Sequence, residues 1–139
     1  MKRHVLVVFG LMTLLALGTS AFAQTIQMKA NIPFDFVVGN KALPAGEYVV
    51  KSAGISSQAL VIQNVSSKQI ATMLANEVES LQPSAGSKLV FHQYGGDYFL
   101  REVWGKDNAR GRELPRSRHE EELAKATTDH SVIELGALR

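Results

Sequence analysis

The chain has 139 residues, which suits one domain and is short for two. It contains no cysteine, so disulfides, thiolate metal sites and a cysteine nucleophile are excluded. The formal net charge is +2, but Lys2 and Arg3 belong to a segment that we expect to be removed. Without them, the 15 basic residues fall to 13 and equal the 13 acidic ones. This balance argues against nucleic-acid binding, which needs a net basic surface.

Residues 1–23 have the three parts of a secretory signal peptide. A basic start is followed by an apolar run at residues 5–17, and Ala21-Phe22-Ala23 is the small-residue pattern that a signal peptidase accepts. The run is too short to cross a bilayer core of ~30 Å as a stable helix. We therefore expect a mature chain that begins at Gln24, is exported to the periplasm or the extracellular space, and has no transmembrane segment after processing.

Alternating apolar and polar residues predict strands through most of the mature chain. Every even position from Ile26 to Val38 is apolar. Pro33 interrupts this pattern as a kink between two shorter strands or as an edge position, because proline cannot donate a ladder hydrogen bond. After turns at 39–41 and 43–46, further strands are predicted at residues 47–52, 59–65 and 70–79. The last of these also contains good helix formers, but its neighbours and the short turns favour a strand.

Two apolar runs around Gly95-Gly96-Asp97 form the clearest predicted hairpin, residues 88–94 and 98–104. Its register is left open by the sequence. A two-residue turn at Gly96-Asp97 would place His92 opposite Arg101, whereas a loop of residues 95–97 would place His92 opposite Leu100. Neither register places a carboxylate directly opposite His92.

The last part of the chain predicts one short helix, at residues 118–126. Ser117 and Glu120 have the spacing of a capping box, and acidic residues near the start of the helix complement its dipole. Residues 105–115 before it are polar and rich in breakers. Residues 127–139 after it are a tail, in which 131–135 form either a last strand or loose chain. Residues 24–139 are therefore predicted to be one all-β domain, an antiparallel sandwich of six to eight strands rather than a closed barrel.

Two blocks of the mature chain resemble a known group of sequences. The run Ile32-Pro-Phe-Asp-Phe-Val-Val-Gly-Asn-Lys-Ala-Leu-Pro-Ala-Gly-Glu-Tyr48 resembles the opening of an uncharacterised family of small exported proteins from soil bacteria. The second half of that family is similar to three later runs, Tyr98–Trp104, Gly111–Ser117 and Glu120–Leu123. The resemblance implies export and a compact β fold. It implies no catalytic residue, cofactor or substrate.

No catalytic constellation is recognisable in the sequence. The chain lacks a Gly-x-Ser-x-Gly elbow and a phosphate-binding glycine loop, and its histidines do not have the helical spacing of metal ligands. His92 would need an orienting partner from another strand to act as a general base. We therefore predict a protein that is not an enzyme, with no catalytic residue, no cofactor and no metal.

The candidate binding residues are aromatic or basic: Tyr94, Tyr98, Arg101, Trp104, Arg110, Arg112, Arg116 and Arg118. Arg101 lies in an apolar strand and needs a carboxylate partner, for which Asp35, Glu47 and Glu77 are candidates. The other arginines form a basic stretch that would meet an anionic envelope polymer or another envelope protein. Alternatively, nearby glutamates neutralise this stretch.

These observations predict an exported, non-enzymatic envelope or extracellular module with a binding or structural role. The alternative is a small-molecule carrier with a barrel cavity, and a third hypothesis is a hydrolytic enzyme that uses His92. The interior distinguishes the first two. A cavity lined by the even-numbered residues from Ile26 to Val38 would indicate a carrier, and a filled core would indicate a module.

Overall fold

The structure is a computed structural model that describes residues 26–53 and 58–138. The predicted signal peptide at residues 1–23 lies outside the described residues, and so do residues 54–57, between the predicted strands 47–52 and 59–65.

The described residues form two sheets that face each other across one apolar core. The first sheet contains β1 Gln27–Ile32, β4 Gly46–Ser52, β5 Ala59–Asn64 and β6 Ile70–Leu74, in the order β1-β4-β5-β6. The second contains β7 Asn76–Glu79, β8 Ser87–Tyr94, β9 Asp97–Trp104, β10 Arg110–Glu113 and β11 His130–Ala137, in the order β11-β8-β9-β10-β7. The short strands β2 Phe36–Val38 and β3 Lys41–Leu43 pair with each other, and β2 also pairs with β9. The sheets do not close into a barrel, and the predicted all-β sandwich is confirmed.

The core is filled by the apolar residues whose alternation predicted the first strands. Of the seven even-numbered residues from Ile26 to Val38, six are buried in the central cluster. The seventh, Phe34, is partly buried and stacks on Tyr98 with ring centroids 4.0 Å apart. Side chains of both sheets therefore occupy the space between them.

Two long predicted strands each divide between the sheets. The first divides at Pro33, the predicted kink, because β1 ends at Ile32 in the first sheet and β2 begins at Phe36 beside the second. Residues 70–79 are strand rather than helix, as predicted, but they divide at Ala75. Ala75 is buried and donates its backbone N–H to the Gln58 carbonyl at 2.8 Å.

The described residues contain eleven strands, more than the six to eight that were expected. The two divided segments account for part of the difference. The rest comes from β3 and β10, which lie in stretches predicted as a turn and as irregular chain. Both strands are short. β3 pairs with β2, and β10 pairs with β7 and β9, so their local sequence carries little strand signal.

Both predicted registers of the β8–β9 hairpin are wrong. The turn is Gly95-Gly96, so that Tyr94 pairs with Asp97 and His92 faces Phe99. Gly95 has a φ of 60°, the left-handed conformation that glycine adopts without steric cost, which places the turn one residue earlier than expected.

The C-terminal segment is a strand rather than a tail. All eight residues of β11 pair with β8, and Leu138 extends the contact to β1 through two backbone hydrogen bonds with Lys29 at 2.6 and 2.7 Å. The predicted helix is present as α1 Arg118–Ala126. Its N-cap is Ser117, whose hydroxyl accepts a hydrogen bond from the Glu120 N–H at 3.2 Å.

Candidate functional site

Arg101 lies at a β-bulge in β9 and on the outer face of the second sheet, the face turned away from the core. Leu100 and Val103 both belong to the core cluster, although residues three apart in a regular strand point to opposite faces. The register shift between Val90 and Phe91 of β8 accounts for this, because it leaves Arg101 as the extra residue of β9. Arg101 is buried without being part of the apolar cluster.

Arg101 is paired with carboxylates that follow it in sequence. Its Nη2 donates to Oε1 of Glu113 at 3.1 Å, and its Nε lies 3.6 Å from Oε1 of Glu120. Its Nη1 also donates to the Leu114 carbonyl. The side chains of Arg101 and Glu120 are only 7% and 3% exposed. This pair joins the sheet to α1, in which Glu120 is the buried residue.

The three partners expected for Arg101 from the sequence are wrong. Asp35 accepts the Ala45 N–H at 2.8 Å, and Glu47 pairs with Lys29. Glu77 accepts a hydrogen bond from Arg112 at 3.0 Å. The sequence shows no signal for Glu113 and Glu120 as partners, because the pairing depends on how residues 113–120 turn back over β9.

Burial governs the ionisation of Glu120. Desolvation raises the pKa of this carboxyl, while Arg101, Arg116 and a hydrogen bond from the Tyr94 hydroxyl at 3.5 Å oppose the rise. The backbone of Ser117 also hydrogen-bonds the carboxylate, so the capping box forms in both directions. Burial raises the pKa of Tyr94 as well, and the charge of Glu120 adds to that rise.

His92 lies beside this pair in a positively charged environment. Burial lowers the pKa of His92, and the nearby charges of Arg101, His130 and Arg116 lower it further. Its Nδ1 is 3.5 Å from the Tyr94 hydroxyl. A catalytic histidine base is normally oriented by a carboxylate, and no described carboxylate hydrogen-bonds to this imidazole.

Tyr94 and Tyr98, expected to flank the hairpin tip, lie on opposite faces of the sheet. Tyr94 is buried on the outer face, where its ring stacks on His130 with centroids 4.7 Å apart. Tyr98 instead packs against the core, and its hydroxyl accepts a hydrogen bond from Nε2 of Gln93 at 3.2 Å. The two tyrosines therefore do not form one stacking platform.

Trp104 is an anchor of the outer face rather than an open platform. It is 7% exposed, and its Nε1 donates to Oε2 of Glu102 at 2.7 Å. Its ring lies against Gly111, where an added Cβ would be 2.7 Å from the ring atom Cδ2. The exposed edge of Trp104 lines an open cleft of about 290 Å³ beneath residues 80–85.

The arginines of the basic stretch divide into two pairs. Arg110 lies 3.2 Å from Oε1 of Glu79, and Arg112 is paired with Glu77, so strand β7 neutralises both. Arg116 and Arg118 are exposed, and neither has a hydrogen bond or a salt bridge within the described residues. The two open guanidinium groups flank the start of α1.

Residues 26–53 and 58–138 hold no group of three metal-ligating side chains. In the same part of the chain, no helix has the length and apolar character needed to cross a membrane. Comparison of the chain with protein-family models, curated proteins and solved structures finds no match. The family resemblance of the two sequence blocks therefore stays an expectation.

Sequence reasoning missed two members, His130 and Glu120, of the cluster that they form with His92, Tyr94 and Arg101 on the outer face of the second sheet. His130 was assigned to a tail, although it pairs with Tyr94 in the sheet. Glu120 was recognised as a helix cap, and its second role as a buried ion-pair partner depends on the position of α1 over the sheet. The Ser117–Glu120 spacing was the one local signal that pointed to either residue.

Proposed function

We propose that this protein is an exported, non-enzymatic module that binds an anionic envelope polymer through its outer surface. The observation that carries the proposal is the filled interior. The even-numbered residues from Ile26 to Val38, which would line the cavity of a carrier, instead pack into the core. Sites for small molecules are concave and accommodate most of the ligand, so a filled interior favours contact at the surface.

The surroundings of His92 favour binding over hydrolysis. A hydrolytic site needs a base or nucleophile with an orienting partner and a place for the substrate. His92 has a polar contact with the Tyr94 hydroxyl. The buried carboxylate of Glu120 forms an ion pair with Arg101 and does not orient the imidazole. The proposed module therefore has no turnover of a glycoside, ester or peptide.

Arg116 and Arg118 are the strongest candidates for contact with the polymer. Exposed cations that form no salt bridge interact with a polyanion without first breaking one. Arg110 and Arg112 are already neutralised by Glu77 and Glu79. We therefore restrict the proposed polymer-binding surface to Arg116 and Arg118.

The test compares retention of the secreted protein on cell-wall and outer-membrane fractions at low and high salt. Arg116→Ser with Arg118→Ser should abolish the salt-sensitive part of binding. The matched control is Lys51→Ser with Lys68→Ser, which removes the same charge from exposed positions away from α1. Equal retention of the arginine variant and the wild type would refute the binding surface, and turnover that is lost in His92→Ala would refute the non-enzymatic role.

A further inference from the structure

Three cationic or ionisable side chains lie together beside the buried Arg101–Glu120 pair. The imidazole rings of His92 and His130 have centroids 5.3 Å apart, across the neighbouring strands β8 and β11. His130 is exposed and His92 is partly exposed. Arg116 is exposed and forms no salt bridge within the described residues, and its charge acts on both His92 and Glu120. All three side chains are therefore accessible to a ligand on the outer face.

The electrostatic environment of His92 is that of an anion site. Arg101, His130 and Arg116 each disfavour a proton on this imidazole, and Glu102 is the one carboxylate that favours it. Cations that repel a proton attract an anion placed at the same position. Burial is the largest cause of the lowered pKa of His92, and these three cations add to it, so they would attract an anion placed beside His92.

We propose that His92, His130 and Arg116 bind an anionic oxygen group of the polymer, and that binding strengthens when the two imidazoles are protonated. The inference rests on the proposed function and identifies the site that would perform it. Burial and the nearby cations lower the pKa of His92, and an anion bound beside it would raise that pKa, so protonation of His92 and anion binding favour each other and binding strengthens at lower pH.

The charges that face the site determine the size of this response. Arg101 on β9 and Arg116 contribute two positive charges, against the carboxylates of Glu102, Glu113 and Glu120. The net charge of these five side chains and the two imidazoles is therefore −1 when both imidazoles are neutral and +1 when both are protonated. Burial raises the pKa of Glu120, which makes this carboxylate easier to protonate than an ordinary one.

Asp97 of β9 and Asp129, which precedes β11, are two further carboxylates near these strands, and neither is among the groups that shift the pKa of His92. Glu134 of β11 accepts from Lys88 of β8 at 2.9 Å, so this pair adds no net charge. His119 of α1 lies against Phe99, with ring centroids 6.2 Å apart, and is not among the groups that shift the pKa of His92. His119→Gln is therefore a matched control for the other two histidines.

The first experiment uses inorganic sulfate, whose charge is constant over the relevant pH range. Histidine titrations of the secreted protein are followed by NMR with sodium sulfate or with sodium chloride at equal ionic strength. Sulfate should raise the pKa of His92 and leave that of His119 unchanged, and Arg116→Gln should reduce the effect. An unchanged pKa of His92, or an equal rise in Arg116→Gln, would overturn the site.

The second experiment uses dextran sulfate as the polymer, with uncharged dextran as its control. From about pH 7.5 to about pH 5.5, the affinity of the wild type should rise by about fivefold or more, in the usual range of site coupling. His130→Gln changes an exposed side chain without endangering the core, and it should remove most of the rise, as should His92→Gln. A rise that both variants retain would overturn the proposal, as would binding to anionic vesicles without binding to dextran sulfate.

The two hypotheses fail in different ways. Binding of envelope fractions that depends on Arg116 and Arg118 but not on pH or the histidines would support the proposed function and overturn this site. A sulfate effect on His92 without binding of any envelope fraction would support the site and refute the proposed function.

Discussion

The Nε atom of Arg101 lies 3.6 Å from Oε1 of Glu120, and this nearly solvent-excluded ion pair joins strand β9 to helix α1. Most surface helices dock through an apolar stripe. Here the buried residue of the helix is a carboxylate, so the position of α1 depends on charge pairing. Arg101 follows the core residue Leu100 and therefore points away from the core, and the bulge at Arg101 returns Val103 to the core side.

Breaking this pair from one side should destabilise the protein strongly. In Arg101→Met, Glu120 would remain buried without its partner, which typically costs about 3–5 kcal/mol of unfolding free energy. Denaturant unfolding measures this loss, and replacing both residues, Arg101→Met with Glu120→Leu, should recover part of it. Glu121→Gln, at an exposed position of the same helix, is the control. A single variant as stable as the wild type would show that the pair does not hold α1.

The stability of the protein should depend on pH in two opposite ways. The folded state lowers the pKa of His92, so protonation favours the unfolded chain and stability falls as the pH drops from about 6.5 through the folded pKa. The folded state raises the pKa of Glu120. Because the folded chain then takes up the proton first, its contribution to stability grows as the pH falls from the folded pKa toward the ordinary carboxyl range.

Unfolding in guanidinium chloride at a series of pH values separates these two effects. His92→Gln should remove the loss of stability on mild acidification and leave the gain that is due to Glu120. A wild-type profile identical to that of His92→Gln would contradict the assignment of the acid-sensitive part to His92.

A methyl group at position 111 should disturb the packing of Trp104. In Gly111→Ala the new Cβ would lie 2.7 Å from Cδ2 of the ring, so the ring or β10 must move. Overpacking of this kind costs about 1–3 kcal/mol. Gly136→Ala is the control, because nothing lies within 4 Å of an added Cβ at that position. Tryptophan fluorescence and denaturant unfolding report the change, and equal stability of the two variants would count against the close contact.

Processing of the N-terminus should produce a chain that starts at Gln24. The Ala21-Phe22-Ala23 pattern predicts cleavage after Ala23, and an N-terminal glutamine cyclises readily. Mass spectrometry of the secreted protein should find Gln24 or its cyclised form as the first residue. Retention of Met1 on the released protein would refute the signal peptide.

Local patterns predicted the elements whose formation depends on neighbouring residues. The alternation from Ile26 to Val38 identified the core face, and one of the two alternatives for Pro33, a break between two shorter strands, is what the structure has. The Ser117–Glu120 spacing identified the helix start. These predictions succeeded because alternation, proline geometry and capping act over a few residues.

The same local patterns could not predict that His92, Arg101 and His130 lie together on the outer face of the second sheet. The residues Gly95-Gly96-Asp97 are compatible with more than one turn, and each turn places a different residue of β9 opposite His92. A bulge at Arg101 has no clear local signal, yet it reverses the face on which the following residues lie. His130 reached the site because a segment read as a tail paired along the whole of β8.

The sequence by itself determined a cysteine-free, mainly β chain with a predicted export signal, one apolar face along its first strands and one capped helix. Only the tertiary structure decided that Glu120 is a buried partner of Arg101, that Arg110 and Arg112 are neutralised, and that His92 meets His130. The physical reason is the distance along the chain over which each interaction acts. Propensity and alternation are properties of adjacent residues, whereas ion pairs and clustered imidazoles depend on which strands and helices pack together across the fold.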